Sequence, residues 1–136
     1  MILDTNALSA LLDKDAALLE VIRESRELAL PVIVLGEYRF GIAISKRRHE
    51  YAEWLARDLL LFRVLPVVEE TSAHYAAIRS ELKASGSPIP ANDVWIAALA
   101  RQHRLPIVSR DIHFDSVKNI ERLSWPRTPA EGGSKR

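Results

Sequence analysis

The sequence predicts an α/β fold, a sandwich in which helices flank a short, mostly parallel sheet of four or five strands. Three observations carry this reading. Short apolar runs without alternation fit strands buried on both faces: Ile2-Leu3, Leu28-Ala29-Leu30, Val64-Leu65-Pro66-Val67-Val68 and Leu105-Pro106-Ile107-Val108-Ser109. Between them lie segments with apolar residues at three- and four-residue spacings, the period of a helix with one buried face. Finally, the two kinds of segment alternate, as right-handed crossovers between parallel strands require.

The elements follow in order. Met1-Ile2-Leu3 is the first strand, ending at Asp4, and a helix covers about Asn6 to Leu12. Asp15 caps a second helix carrying Leu18, Leu19 and Ile22. Pro31 stops the second strand and opens a helix to about Ser45, with an apolar stripe of Ile33, Phe40 and Ile44. A helix with Tyr51, Trp54, Leu55, Leu59 and Phe62 leads to the strand Val64–Val68, which Pro66 marks as an edge or as ending there. Thr71 or Ser72 opens a helix that Gly86 ends, and Ser87-Pro88-Ile89-Pro90 is a stiff connection. Asn92 or Asp93 begins the helix bearing Ile96, Leu99, Ala100 and His103. The strand Ile107–Ser109 runs into Arg110-Asp111, and Arg122–Trp125 is the last strand. Residues 1–125 are read as one domain and 126–136, rich in Pro, Gly, Ser and charge, as a flexible tail.

Composition narrows the class. The chain has 136 residues, 48% hydrophobic and 27% charged, which suits one globular core. It has no cysteine, which excludes disulfides and thiolate metal sites and fits a reducing cytoplasm. No apolar run reaches bilayer length, and a basic leader is absent before the first apolar run, so neither membrane anchoring nor export is expected. The net charge of +1 leaves a nucleic-acid partner open.

Asp4, Glu37, Asp93 and Asp111 stand out because each sits at a strand end, at a helix start or on a helix face shared with apolar residues. Asp4 and Asp111 follow buried strands, and parallel neighbours would bring them to one sheet edge, where α/β proteins bind ligands. Glu37 is spaced with Ile33, Phe40 and Ile44, which would put a carboxylate on the core face. Burial of that charge demands a cation, a salt bridge or a place at the rim. Each acid also has an ordinary role: Asp4 (or Thr5) and Asp93 as helix caps, Asp111 as a turn residue. Asp115 is a possible fifth member or another cap. Carboxylates that converge without basic partners repel unless a hard cation lies between them. Oxygen ligands suit Mg2+ or Mn2+ rather than zinc, and His49, His74, His103 and His113 show no ligand spacing. Mg2+ held by carboxylates points to phosphodiester chemistry, with Thr5, Asn6, Asn92 and Ser109 supporting the acids by hydrogen bonds.

Four segments in order, Ile2-Leu3-Asp4-Thr5-Asn6, Val34-Leu35-Gly36-Glu37, Ile89 to Ala98 around Asn92-Asp93, and Ile107-Val108-Ser109-Arg110-Asp111, resemble PIN-domain ribonucleases, and among them VapC toxins of type II toxin–antitoxin pairs. The resemblance runs to about Trp125. It implies a PIN-like sandwich and an acidic pocket of Asp4, Glu37, Asp93 and Asp111 binding Mg2+ or Mn2+. It further implies endonucleolytic cleavage of RNA, a homodimer, and neutralisation by a small antitoxin, VapB-like, that covers the pocket. Ser109 stands where many relatives have threonine, and it keeps the hydroxyl.

An acidic pocket needs cations around it to hold RNA, and Lys46-Arg47-Arg48, Arg39 and Arg110 are the candidates. The run is equally a solvated helix end. Tyr51, Trp54, Leu55, Leu59, Leu60, Leu61 and Phe62 exceed one helix face, as core from two sides or as a surface for the antitoxin or a second copy. A non-catalytic Mg2+-binding or phosphoacceptor signalling domain is the alternative function. It would want a lysine near the pocket, where this sequence offers only Arg110. An aspartyl phosphatase is disfavoured because position 6 is Asn6 rather than a second acid.

Overall fold

Strand β1 (Ile2–Leu3) occupies the middle of an all-parallel five-stranded sheet of order β3-β2-β1-β4-β5 in a computed structural model that describes residues 1–127. Its neighbours are β2 (Leu28–Pro31) and β4 (Ile107–Val108), with Ile2 opposite Ala29 on one side and Ile107 on the other. Strands β3 (Phe62–Leu65) and β5 (Arg122–Leu123) form the edges. Ile2, Leu3, Ala29, Leu30, Ile107 and Val108 are fully buried. That burial explains the unbroken apolar runs: a central parallel strand is covered on both faces.

The helices are α1 (Thr5–Leu12), α2 (Ala16–Ile22), α3 (Val32–Ala43), α4 (Arg48–Asp58), α5 (Glu69–Ser85) and α6 (Ala91–His103). The path β1→β2→β3 steps one way across the sheet and β3→β4 steps back, so right-handed crossovers place α1–α4 and α5–α6 on opposite faces. Local chemistry sets the boundaries. Asp15 caps α2 by accepting from the backbone of Ala17 and Leu18. Gly86 ends α5 at φ 69°, a conformation glycine adopts without strain. Pro31 closes β2 and precedes the first residue of α3, where a missing N–H costs nothing. Helix α6 buries Ile96 to Ala100 continuously, and it packs along α5 and touches α3. One core joins all elements as far as Trp125.

Several boundaries and faces differ from the sequence reading. Strand β3 begins at Phe62, two residues before the apolar run, so Phe62 belongs to the edge strand and not to α4. Leu60 and Leu61, in a short 3-10 turn, are 93% and 74% exposed. The core face of α3 is Val34, Leu35, Tyr38 and Ile42. Phe40 and Ile44, expected to share the core with Glu37, are 67% and 71% exposed. Helix α3 is apolar nearly all round, so spacing alone does not select its buried side. No helix among the described residues is long and apolar enough to cross a membrane. Most of the tail expected at 126–136 lies outside the described residues.

Candidate metal centre

The sheet order reverses between β1 and β4, and that is where an open parallel sheet leaves a crevice at its carboxyl edge. Asp4 and Ser109 are the first residues beyond the two strands, and both are buried. Asp4 caps α1, its Oδ1 accepting from the Thr5 backbone N–H at 2.8 Å. Its Oδ2 accepts from Ser109 Oγ at 2.7 Å and from Asn6 Nδ2 at 3.4 Å. Ser109 Oγ in turn accepts from Asn6 Nδ2 at 3.2 Å and from the Asp111 backbone N–H at 2.9 Å. Asn6 Oδ1 accepts from the Arg110 backbone N–H at 3.1 Å. Asn6 and Ser109 thus tie the ends of the two strands together and fix the loop that carries Asp111.

Helices bring the other two acids to the same edge. Asp93 lies in the first turn of α6, and Glu37 lies on the outward side of α3 rather than in the core. Their mutual influence shows the convergence. Burial raises Asp4 above the usual carboxylate range, Ser109 and Thr5 partly oppose this, and the Asp111 charge adds to it. Burial raises Glu37, helped by the charges of Asp4 and Asp93. Burial also raises Asp93 against the hydrogen bond from His113, with Asp111 and Asp4 adding. Among the described residues no lysine or arginine forms an ion pair with any of the four. Concentrated negative charge that no lysine or arginine neutralises is an environment suited to a divalent cation. The Thr5 hydroxyl oxygen, beside Asp4, is buried and has no hydrogen-bond partner, so a polar group is already in place for a guest. Thr5, Ser9 and Glu37 also line a cleft of about 260 Å³ between α1 and α3.

The remaining sequence candidates divide. Asp115 is already paired, its carboxylate accepting from Arg122 Nε at 2.8 Å and Nη2 at 2.9 Å. Asn92 is exposed, and no side-chain hydrogen bond engages it among the described residues. Arg110 does not project over the pocket. Its guanidinium lies 4.4 Å from the Trp125 ring centre and donates to the Pro126 carbonyl at 3.2 Å. Arg47 is paired with Glu50 and lies over Tyr51. Arg39, Lys46 and Arg48 are exposed, without ion pairs among the described residues.

His113 was not legible as a member of this site. It follows Asp111 in the 3-10 turn Ile112–Ser116, and its Nδ1 lies 3.0 Å from both Asp93 Oδ2 and Asp111 Oδ1. The spacing Asp111-x-His113 after a strand was the available signal, but the contact with Asp93 comes from twenty residues away.

The model of the PIN domain family matches residues 1–120. The chain belongs to the PIN-domain family. Among PIN relatives, toxin FitB of Neisseria gonorrhoeae is 41% identical over 88 residues, 60% of this chain and 63% of FitB, slightly under two thirds of that protein's length. VapC ribonuclease Y4jK of Sinorhizobium fredii is 35% identical over 121 residues, 82% of this chain and 86% of Y4jK. A crystal structure of VapBC-5 from Mycobacterium tuberculosis, of the VapBC family of toxin–antitoxin systems, superposes with a TM-score of 0.72 at 27% identity, covering 90% of this chain and 96% of that one. The PIN chain described here is therefore of the VapC type, and its parallel sheet is the one its residue pattern predicts.

Proposed function

We propose that residues 1–125 form a metal-dependent endoribonuclease domain that hydrolyses RNA phosphodiester bonds in the cytoplasm as the toxin of a toxin–antitoxin pair. One observation carries the reading: the Asp4, Glu37, Asp93 and Asp111 carboxylates gather at the sheet's switch point with no lysine or arginine paired to them among the described residues, in a chain similar to named ribonucleases. These four residues would hold Mg2+, or Mn2+ in its place. The chemistry a divalent cation would supply when bound there is activation of water and stabilisation of the leaving oxygen of the phosphodiester.

The chain's own groups do the positioning. Ser109 and Asn6 hold Asp4, the Asp111 backbone is fixed by Ser109, and Thr5 Oγ1 is available beside Asp4. Asn92, at the start of α6, is exposed next to Asp93 and free to meet substrate. Arg39, Lys46 and Arg48 supply positive charge to the RNA backbone, with Arg47 and Arg110 contributing less because Glu50 and the Trp125–Pro126 segment engage them. The scissile phosphate belongs to single-stranded or looped RNA, which can be drawn into a pocket that a duplex cannot enter.

FitB is named a toxin and VapBC-5 a toxin–antitoxin system, which supports an antitoxin partner; assembly as a homodimer or as a complex with that antitoxin is part of the same proposal. Phe40, Ile44, Leu60 and Leu61 are the exposed apolar side chains such a partner would cover. The deciding experiment compares the purified parent and Asp93→Asn on an RNA pool at saturating Mg2+. Loss of cleavage with an unchanged circular dichroism spectrum is expected. Equal rates would remove Asp93 from the active site.

A further inference from the structure

We infer that His113 is itself a ligand of the divalent cation through Nδ1, making the centre a mixed nitrogen–oxygen site that binds Mn2+ more tightly than Mg2+. The inference rests on the metal-dependent reading above and deepens it. The three atoms Nδ1 of His113, a carboxylate oxygen of Asp93 and one of Asp111 all lie within 4.8 Å of one another. Nδ1 is 3.0 Å from each of Asp93 Oδ2 and Asp111 Oδ1. Adjacent ligands of one octahedral small cation stand about 3 Å apart, as bonds of about 2.1 Å dictate. The same spacing suits a neighbour in a shared coordination shell once Nδ1 gives up the proton that now bridges it to the carboxylates.

The ring is also held for that role. The His113 backbone N–H donates to Asp111 Oδ1 at 2.9 Å, locking the turn to one of the acids it would share a cation with. The ring comes from a short turn and not a packed helix, and its side chain is 48% exposed, so it has room to adjust. The alternative is that His113 only bridges the two carboxylates as a hydrogen-bond donor. The two roles differ in metal chemistry. Carboxylate and water oxygens alone serve Mg2+ well, whereas an imidazole nitrogen favours transition-metal ions.

Pulsed electron paramagnetic resonance of the Mn2+-loaded full chain tests this without reference to cleavage. The parent is expected to show nitrogen-14 modulation from a directly bound imidazole. In His113→Gln that modulation is expected to vanish while Mn2+ remains bound, with Mn2+ affinity lowered at least about tenfold and Mg2+ affinity lowered less. Mn2+ bound to the parent without nitrogen modulation, or modulation that persists in His113→Gln, overturns the ligand role and leaves the nuclease reading intact. Failure of the parent to bind Mn2+ or Mg2+ in calorimetry overturns both.

Discussion

Ser109 Oγ donates a 2.7 Å hydrogen bond to Asp4 Oδ2, joining residues 105 positions apart at the ends of adjacent strands. Both are buried, and the same hydroxyl accepts from the Asp111 backbone. One oxygen therefore orients two of the candidate acids. Ser109→Ala removes that link and leaves the Asp4 carboxylate less well satisfied. The expected result is a loss of about 1.5–3 kcal/mol in urea unfolding, as for a hydrogen bond to a charged group. A roughly tenfold weaker cation affinity by calorimetry should accompany it.

Repulsion among the acids is a cost the folded protein carries when no cation is bound. Mg2+ or Mn2+ should therefore raise the melting temperature relative to protein in EDTA, by an amount that grows with cation concentration. Glu37→Gln should raise the melting temperature in EDTA and shrink the cation-dependent rise. Scanning fluorimetry of the two proteins, with and without cation, checks both. A parent that melts identically in EDTA and in excess Mn2+ contradicts the expectation.

Acidity should act on the same groups with a definite sign. Burial holds Asp4, Glu37 and Asp93 above the usual carboxylate range. A carboxylate whose folded value lies above its unfolded one takes up its proton more readily when folded. Lowering the pH from 7 toward 5 should thus stabilise the cation-free protein and weaken cation binding at once. Glu81 and Asp115, lowered by Arg101 and Arg122, oppose this only at pH values below the ordinary carboxylate range. Urea unfolding in EDTA and cation titrations at pH 7, 6 and 5 measure the two effects.

The domain's limit can be tested by shortening it. The family match ends at residue 120, yet Trp125 is 4% exposed and carries the Arg110 guanidinium against its ring. Trp125→Ala should cost about 3–5 kcal/mol, the usual loss for a buried tryptophan. A chain ending at Arg127 should retain the parent's unfolding midpoint, whereas one ending at Ile120 should not fold stably because it lacks β5.

The parts of the fold that the residues announced were those where two constraints agreed. Ile2-Leu3-Asp4 and Ile107-Val108-Ser109 are too short and too apolar for anything but central strands, and so the meeting of Asp4 with the Asp111 loop could be anticipated. The spacing of Glu37 with Phe40 and Ile44 predicts a core face, whereas those residues face outward and the helix buries Val34, Leu35, Tyr38 and Ile42 instead. A helix apolar on every side carries no phase information. The contact of His113 with Asp93 depends on how a 3-10 turn meets α6, which local pattern does not encode. The engagement of Arg110 by Trp125 is not legible locally, because Trp125 is a tertiary neighbour and not a sequence one.

The pairing of β1 with β4 has a consequence for synthesis. Ser109 follows Asp4 by 105 residues, so the first strand leaves the ribosome long before its partner on that side is made. A nascent fragment that stops short of β4 holds Asp4 without the Ser109 hydroxyl that orients it or the loop that carries Asp111. The centre is thus assembled only once β4 has been made, in a single step rather than by degrees.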